Sequence, residues 1–342
     1  MTVAPPIRVL VVDDSAFARK VIRETLTRSP LLEVVGIARD GLEALEKIAE
    51  LAPDVVTLDL VMPNLDGLGV LRALPPDKPP RVVIVSISDG DSALGIEALQ
   101  SGAVDLVHKP TALATERLYD LSDELVAKVV AAAAAHTRLS TVAPAVIRPA
   151  PPAGAVRLVV VGTSTGGPAA LTRLLAGLPA DFPAAIAVAL HIPAGYTEAL
   201  ARRLDETCPM RIFEAFEGAE LAPGSVAIAR GGLHLRVINV DGALTTHVGS
   251  APLTAPFCPS VDVLFESAAT ALGPAVLGVV LTGMGNDGVA GAAAIRRAHG
   301  RVVTEAEESC VVYGMPRAVV EANQSDGQAP IDRMAAEISR RL

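Results

Sequence analysis

Eight side chains in this chain have types and spacings suited to chemistry, and they form two groups. The first is Asp13, Asp14, Asp59, Ser86 and Lys109. Clustered carboxylates repel one another, and a hard divalent cation such as Mg²⁺ relieves that repulsion through oxygen ligands. A carboxylate beside Mg²⁺, a lysine and a hydroxyl is equipped to take up a phosphoryl group. The second group is Ser164, His191 and Asp287. Gly162-Thr163-Ser164-Thr165-Gly166-Gly167 has the G-x-S-x-G spacing that projects a serine hydroxyl from a tight turn. Such a serine needs a base, and the base needs a carboxylate to orient it and stabilise its charged form. Other readings stand beside these. The acidic residues can cap helices or face water. The glycine-rich turn can cradle an anion at a helix N-terminus or be a plain tight connection. His234, in Gly231-Gly232-Leu233-His234, can line a pocket, and Asp287 can cap a helix.

The elements that must position these residues are short Val/Ile-rich runs alternating with amphipathic segments. In the first half the spacing predicts strands at Ile7–Val12, Glu33–Ala38, Val55–Leu58, Val82–Ser86 and Asp105–His108, with helices starting near Ser15, Gly41, Gly67 and Ser92. In the second it predicts strands at Leu158–Val161, Ala184–Leu190, Ser225–Ala229, Val276–Leu281 and Arg301–Thr304. This alternation means α/β units with parallel sheets covered on both faces. Sites in such sheets lie at the strand carboxyl ends. Asp13, Asp14, Asp59, Ser86 and Lys109 all fall at such ends, and so do Ser164, His191 and Asp287. The loop Gly283-Met284-Gly285 can also offer N–H donors to an oxyanion.

Charge divides the chain. Residues 1–125 carry a net −8 and the remainder −1, an asymmetry that suggests two units with separate tasks. Thr115–His136 has helical periodicity, and Thr141–Ala155 reads as a semi-extended Ala/Pro-rich linker. The expected organisation is a first domain at 6–125, a helix end and linker at 126–155, and a second domain at 156–342. A hydrophobic fraction of 51% excludes a disordered chain. The net charge of −9, with aromatics at only 3%, argues against a nucleic-acid partner. Three cysteines without a C-x-x-C pair fit a reducing cytoplasm, and no secretory leader is expected. Ser267–Asn286 is uncharged for 20 residues, but its glycines and Pro274 make it a helix end, a turn, a buried strand and a loop rather than a membrane span.

V-L-V-V-D-D-S at 9–15, T-L-D-L-V-M-P-N-L-D-G at 57–67, V-S at 85–86 and K-P at 109–110 resemble a response-regulator receiver domain. That resemblance implies a flavodoxin-like fold with a five-stranded parallel sheet. It implies Asp59 as the phosphorylation site, Asp13, Asp14 and Asp59 as Mg²⁺ ligands, and Ser86 and Lys109 as sensors of the phosphoryl group. One position departs from the pattern. Leu106 stands where receivers usually carry the aromatic switch residue.

V-G-T-S-T-G-G-P at 161–168, H-I-P-A-G-Y-T at 191–197, P-S-V-D-V-L-F-E-S-A-A at 259–269, L-T-G-M-G-N-D-G at 281–288 and E-E-S-C-V-V-Y-G-M-P at 307–316 resemble the CheB family of chemotaxis protein-glutamate methylesterases, which are also glutaminases. The resemblance implies a doubly wound α/β catalytic domain with a mostly parallel sheet. It implies Ser164 as nucleophile, His191 as general base and Asp287 as its orienting carboxylate. Thr165 is then expected beside His191, with the backbone N–H groups of Met284 and His191 as oxyanion donors. No cofactor is implied in the catalytic half. The implied partners are methyl-accepting chemoreceptors as protein substrate and a CheA-type histidine kinase as phosphodonor. The protein would act in the cytoplasm, peripheral to membrane receptors without spanning the membrane, and its unphosphorylated receiver would cover the cleft. Two other classes compete: a phosphorylation-controlled binding or DNA-binding regulator, and a small-molecule esterase or nucleotide binder built on the glycine-rich turn.

Overall fold

The structure, a computed structural model, describes residues 5–86, 88–109, 117–135 and 156–342. The chain divides into two compact units, Met1–Ala135 and His136–Leu342. The predicted linker Thr141–Ala155 lies outside the described residues.

The first unit runs β1 (Ile7–Val12), α1 (Ala16–Thr27), β2 (Leu32–Ala38), α2 (Gly41–Leu51), β3 (Val55–Leu58), α3 (Gly67–Ala73), β4 (Arg81–Ser86), α4 (Ser88–Gln100), β5 (Asp105–His108) and α5 (Arg117–Ala133). All five strands are parallel, in the order β2-β1-β3-β4-β5, the flavodoxin-like order the resemblance implied. Side-chain caps start three of its helices. Ser15 Oγ accepts from Ala18 N, Asp40 Oδ1 from Glu43 N and Asp66 Oδ1 from Gly69 N, each satisfying an orphan N–H of the first turn. Val9, Val11, Val55, Val83, Val85 and Val107 pack with Ile22, Leu26, Leu125 and Val129 to form one core. Leu106 is buried, and as an aliphatic side chain it offers no aromatic ring to act as a switch. Lys128 of α5 is buried beside it. Its Nζ donates to Leu106 O at 2.7 Å and lies 3.1 Å from Asp105 Oδ1.

The second unit holds β6 (Leu158–Thr163), α6 (Gly167–Ala176), β7 (Ala185–Leu190), α7 (Thr197–Thr207), β8 (Arg211–Glu214), β9 (Ser225–Ile228), β10 (His234–Val240) and β11 (Ala243–Gly249). It continues with α8 (Val261–Leu272), β12 (Val276–Val280), α9 (Val289–Arg297), β13 (Arg301–Glu305), α10 (Met315–Glu321), β14 (Gln328–Ala329) and α11 (Ile331–Arg341). Seven strands form one parallel sheet, in the order β14-β13-β12-β6-β7-β9-β8. From β6 the chain winds outward through β7, then returns to place β12 on the other flank of β6. That reversal opens a crevice at the strand carboxyl ends. The β6, β7 and β12 segments are buried at every position, which is why they read as unbroken apolar runs. The uncharged stretch Ser267–Asn286 resolves into the end of α8, a turn, β12 and a glycine loop as expected. Among the described residues no helix is long and apolar enough to cross a membrane.

Four strands of this unit were not predicted. β10 and β11 pair as an antiparallel hairpin around Asp241-Gly242, both with positive φ. β8 and β14 are short edge strands. Gly162, the penultimate residue of β6, lies against α8. A Cβ there would come within 2.2 Å of Val261 Cγ1, so only glycine lets the start of α8 close on the sheet edge.

Replacing Lys128 by alanine should remove about 3–5 kcal/mol of stability, because it strips the buried Asp105 carboxylate of its lysine. Urea unfolding of the full chain reads this directly. An unchanged midpoint would mean that solvent replaces the ammonium without cost.

Candidate functional site

In the first unit, β1 and β3 are neighbours, so the residues that follow them meet. Asp13 N donates to Ala38 O and Asp59 N to Val12 O, which fixes both carboxylates just beyond the ladder. Carboxylate oxygens of Asp13, Asp14 and Asp59 lie within 4.8 Å of one another. Asp13 and Asp59 are buried and Asp14 is exposed. Lys109 follows β5, and its Nζ sits 2.9 Å from Asp13 Oδ2 and 2.5 Å from Asp59 Oδ2. Burial and the negative charge of Asp13 push the Asp59 carboxyl above the usual range, against the pull of Lys109 and the Leu60 N–H. Burial works against the Lys109 ammonium, but Asp13 and Asp59 outweigh it and raise its pKa. Ser86, at the end of β4, has a buried hydroxyl with no hydrogen-bond partner among the described residues. A buried hydroxyl normally has one, so the Ser86 hydroxyl keeps its hydrogen-bonding capacity unused within the described residues. The three carboxylates are an all-oxygen donor set carrying more negative charge than one lysine offsets, which suits Mg²⁺.

In the second unit, Ser164, His191 and Asp287 follow β6, β7 and the loop after β12, so three adjacent strands deliver them to one sheet edge. His191 Nε2 donates to Asp287 Oδ2 at 2.8 Å. A carboxylate only accepts, so Nε2 carries the proton and Nδ1 is left as the basic nitrogen. The Phe257 ring stacks on the imidazole with centroids 4.4 Å apart and fixes its plane. Among the described residues no hydrogen bond joins Ser164 Oγ to the imidazole, and such bonds commonly tighten only when substrate is present. The elbow geometry itself is held firmly. Ser164 N donates to Thr282 O, Gly166 takes φ +79°, and Gly167 N donates to Ser164 O. Gly283 lies so close that a Cβ on it would come within 2.8 Å of Ser164 Cβ.

Asp287 is a cap, but of a different helix from the one its sequence position suggests. Gly288 precedes α9 and supplies no side-chain cap. Asp287 instead receives Val261 N at 2.7 Å, Asp262 N at 3.0 Å and Ser260 Oγ at 3.1 Å, all from the start of α8. Asp262 returns the exchange, accepting Gly288 N and Gly291 N at the start of α9. Burial drives the Asp287 carboxyl upward, yet its bonds from His191, Asp262 and Val261 prevail and hold it below the usual range. His234 is a supporting residue rather than a pocket wall. It is buried, its Nδ1 accepts Ser260 N at 3.1 Å, and burial lowers its pKa so that it stays a neutral acceptor.

The structure corrects one expected role. His191 N donates to Thr163 O at 3.1 Å as the last rung between β6 and β7, so it is not free to receive an oxyanion. Met284 N makes no hydrogen bond among the described residues and remains available. Thr165 is buried, and its carbonyl accepts Thr282 Oγ1 at 3.0 Å. Phe257, Ser260, Thr282 and Glu305 belong to this neighbourhood and were not singled out from the sequence. The S-V-D-V run at 260–263 was the available signal for Ser260, since a serine before an apolar helix reads as an N-cap.

Residues 159–338 match the family model described as CheB methylesterase, and residues 9–120 match Response regulator receiver domain. A protein-glutamate methylesterase/protein-glutamine glutaminase of Myxococcus xanthus is 60% identical, with 100% of both chains covered. Another of Symbiobacterium thermophilum is 44% identical over 98% of this chain and 97% of its own. The crystal structure of the Thermotoga maritima CheB methylesterase catalytic domain is 36% identical with a TM-score of 0.53, covering 54% of this chain and 98% of that one.

Asp287→Asn should lower stability at neutral pH by about 2–3 kcal/mol, since it sets a new donor against the α8 N–H groups. The folded-state pKa lies below the ordinary aspartate value, so the carboxylate's contribution is present above that ordinary value and is lost as pH falls through the folded one. The gap between wild type and variant should therefore shrink below about pH 4. Denaturant titrations from pH 3 to 7 check both points, and a gap constant across that range would contradict the assignment.

Proposed function

The chain belongs to the CheB methylesterase family, with a receiver domain ahead of the catalytic unit, and from that premise we propose that it is a phosphorylation-regulated protein-glutamate methylesterase and protein-glutamine glutaminase. The observation that carries the mechanism is the 2.8 Å bond from His191 to a buried Asp287, which follow the strands flanking the one before Ser164. Ser164 Oγ attacks the carbonyl carbon of a glutamyl γ-methyl ester while His191 Nδ1 takes its proton. The Met284 N–H receives the charge that develops on the carbonyl oxygen. The adduct collapses, the bond to the methoxy oxygen breaks, and His191 returns the proton so that methanol leaves. Water then gives a proton to His191 and attacks the acyl-enzyme, releasing glutamate and restoring the serine. A glutamine side chain follows the same course, with ammonia as the leaving group. Asp287, held ionised, stabilises the imidazolium of each step.

The substrate is the cytoplasmic region of methyl-accepting chemoreceptors, and the phosphodonor is a CheA-type histidine kinase. Asp59 accepts the phosphoryl group, and Asp13, Asp14 and Asp59 are the residues that would hold Mg²⁺. The ion supplies charge neutralisation between acceptor carboxylate and incoming phosphoryl group. Lys109 then pairs with the phosphoryl oxygens, and the Ser86 hydroxyl gains the partner it lacks. Phosphorylation of Asp59 then raises the activity at Ser164. With Leu106 buried in the sheet, the signal leaves the receiver by a route other than a rotating aromatic ring.

The test is methanol release from methylated chemoreceptor membranes, with and without Mg²⁺ and a small phosphodonor. Ser164→Ala should lower release by about 1,000-fold or more. Asp59→Asn should leave basal release in place and abolish the stimulation. Release that persists in Ser164→Ala would remove the serine mechanism. Equal stimulation in Asp59→Asn would remove receiver control.

A further inference from the structure

Glu305 is a buried carboxylate that the reaction above does not use. It ends β13 and is 1% exposed. Its Oε2 accepts Thr282 N at 2.8 Å, and its Oε1 accepts Ser309 Oγ at 2.9 Å. The other groups facing it are the Cys310 thiol and Arg173 of α6, which is itself paired with Asp332 of α11.

Thr282 is the residue on which the serine turn hangs. Its carbonyl accepts Ser164 N at 3.1 Å and Thr163 Oγ1 at 2.7 Å. Its hydroxyl donates to Thr165 O at 3.0 Å and accepts Val312 N at 2.9 Å. Three consecutive residues, 163 to 165, are thus tied to one threonine, and that threonine's own amide is tied to Glu305. Thr282 lies just beyond β12, where its buried N–H needs an acceptor from outside the sheet ladder.

We propose that Glu305 is a positioning residue for Ser164, acting through Thr282. This rests on the reading of Ser164 as nucleophile. A carboxyl in this place is poorly explained by stability alone. Burial raises it to about 7, so its charged form is costly here, and a well-packed apolar side chain would avoid that cost. What an apolar side chain lacks is an acceptor for the Thr282 N–H. Either protonation state of Glu305 leaves one oxygen able to accept that bond, so the reach of the acceptor matters and its charge does not. A shift of Thr282 by a fraction of an ångström would carry the Ser164 amide with it and misalign Oγ against the substrate carbonyl and His191.

Two variants of the full chain separate reach from charge. Glu305→Gln keeps the reach and removes the charge. Glu305→Asp keeps the charge and withdraws the acceptor by one methylene. With methylated receptor as substrate and the receiver phosphorylated, Gln should keep kcat within about threefold of wild type. Asp should lower kcat by about 30–100-fold while KM stays within about threefold, because a misplaced nucleophile damages the reaction more than binding. The rate at which a fluorophosphonate labels Ser164 should fall in parallel with kcat. Thermal melts confirm that both variants are folded at the assay temperature. Loss of kcat in Gln overturns the proposal whatever Asp does, and so does an unchanged kcat in Asp. If Ser164→Ala retains activity, the serine mechanism itself has failed. If Ser164→Ala is inactive while Asp and Gln behave alike, only the role of Glu305 is lost.

Discussion

A carboxylate can serve an imidazole from inside a protein only if it stays ionised there, and the catalytic edge is arranged around how Asp287 meets that requirement. The start of α8 supplies two backbone N–H groups and the Ser260 hydroxyl, with the positive end of the helix dipole behind them. The position of α8 therefore follows from the need to keep one charge. Gly162 has to be a glycine because Val261 comes so close to it. Asp262 turns back to α9 and, through the Gly288 and Gly291 N–H groups, ties the far end of the loop carrying Asp287 to the start of α8. His234 completes the arrangement by accepting the Ser260 amide.

The two units use the same topological rule with opposite electrostatics. Parallel strands present their carboxyl ends together, so residues after neighbouring strands converge without contact along the sequence. In the receiver this convergence leaves three carboxylates against one lysine, an excess of negative charge that invites a cation and an added anion in turn. In the catalytic unit the Asp287 carboxylate is bonded by a helix end and an imidazole. One edge gathers like charges beside a lysine, and the other pairs its charge with an imidazole next to a serine.

The sequence was most legible where burial is complete. β6, β7 and β12 are buried along their whole length, so their apolar runs marked them within a few residues, and with them the places of Ser164, His191 and Asp287. The hairpin of β10 and β11 was also within reach, since Asp241-Gly242 between alternating apolar residues is a strong turn signal. β8 and β14 were not, being a short strand with polar ends and a two-residue edge. Asp287 illustrates a different limit. Its spacing announces a cap, yet spacing cannot say which helix end lies nearest, and the helix it serves begins 26 residues earlier. Thr282 and Glu305 were invisible for the same reason, because their partners are joined to them only through the sheet. The backbone amide of His191 shows the reverse case, a donor that looks free in the sequence and is consumed by the last rung of a ladder.

The orientation of the imidazole has a mechanical meaning. With Nε2 turned to Asp287, the nitrogen left for the serine is Nδ1, the one nearer the ring's attachment to the main chain. Both ring nitrogens are placed by the same two torsions, but rocking about the first moves Nδ1 less than Nε2 because it lies nearer the backbone. Rotation about the second is limited by Phe257, which stacks on the ring plane. The accuracy of proton transfer is thereby handed from a flexible arm to the frame that carries it. The end of β7 is among the most completely buried parts of that frame. Wear at the surface, such as a changed loop or a new charge on an outer helix, would leave the aim of this base intact, whereas a shift of one strand against the next would move it directly.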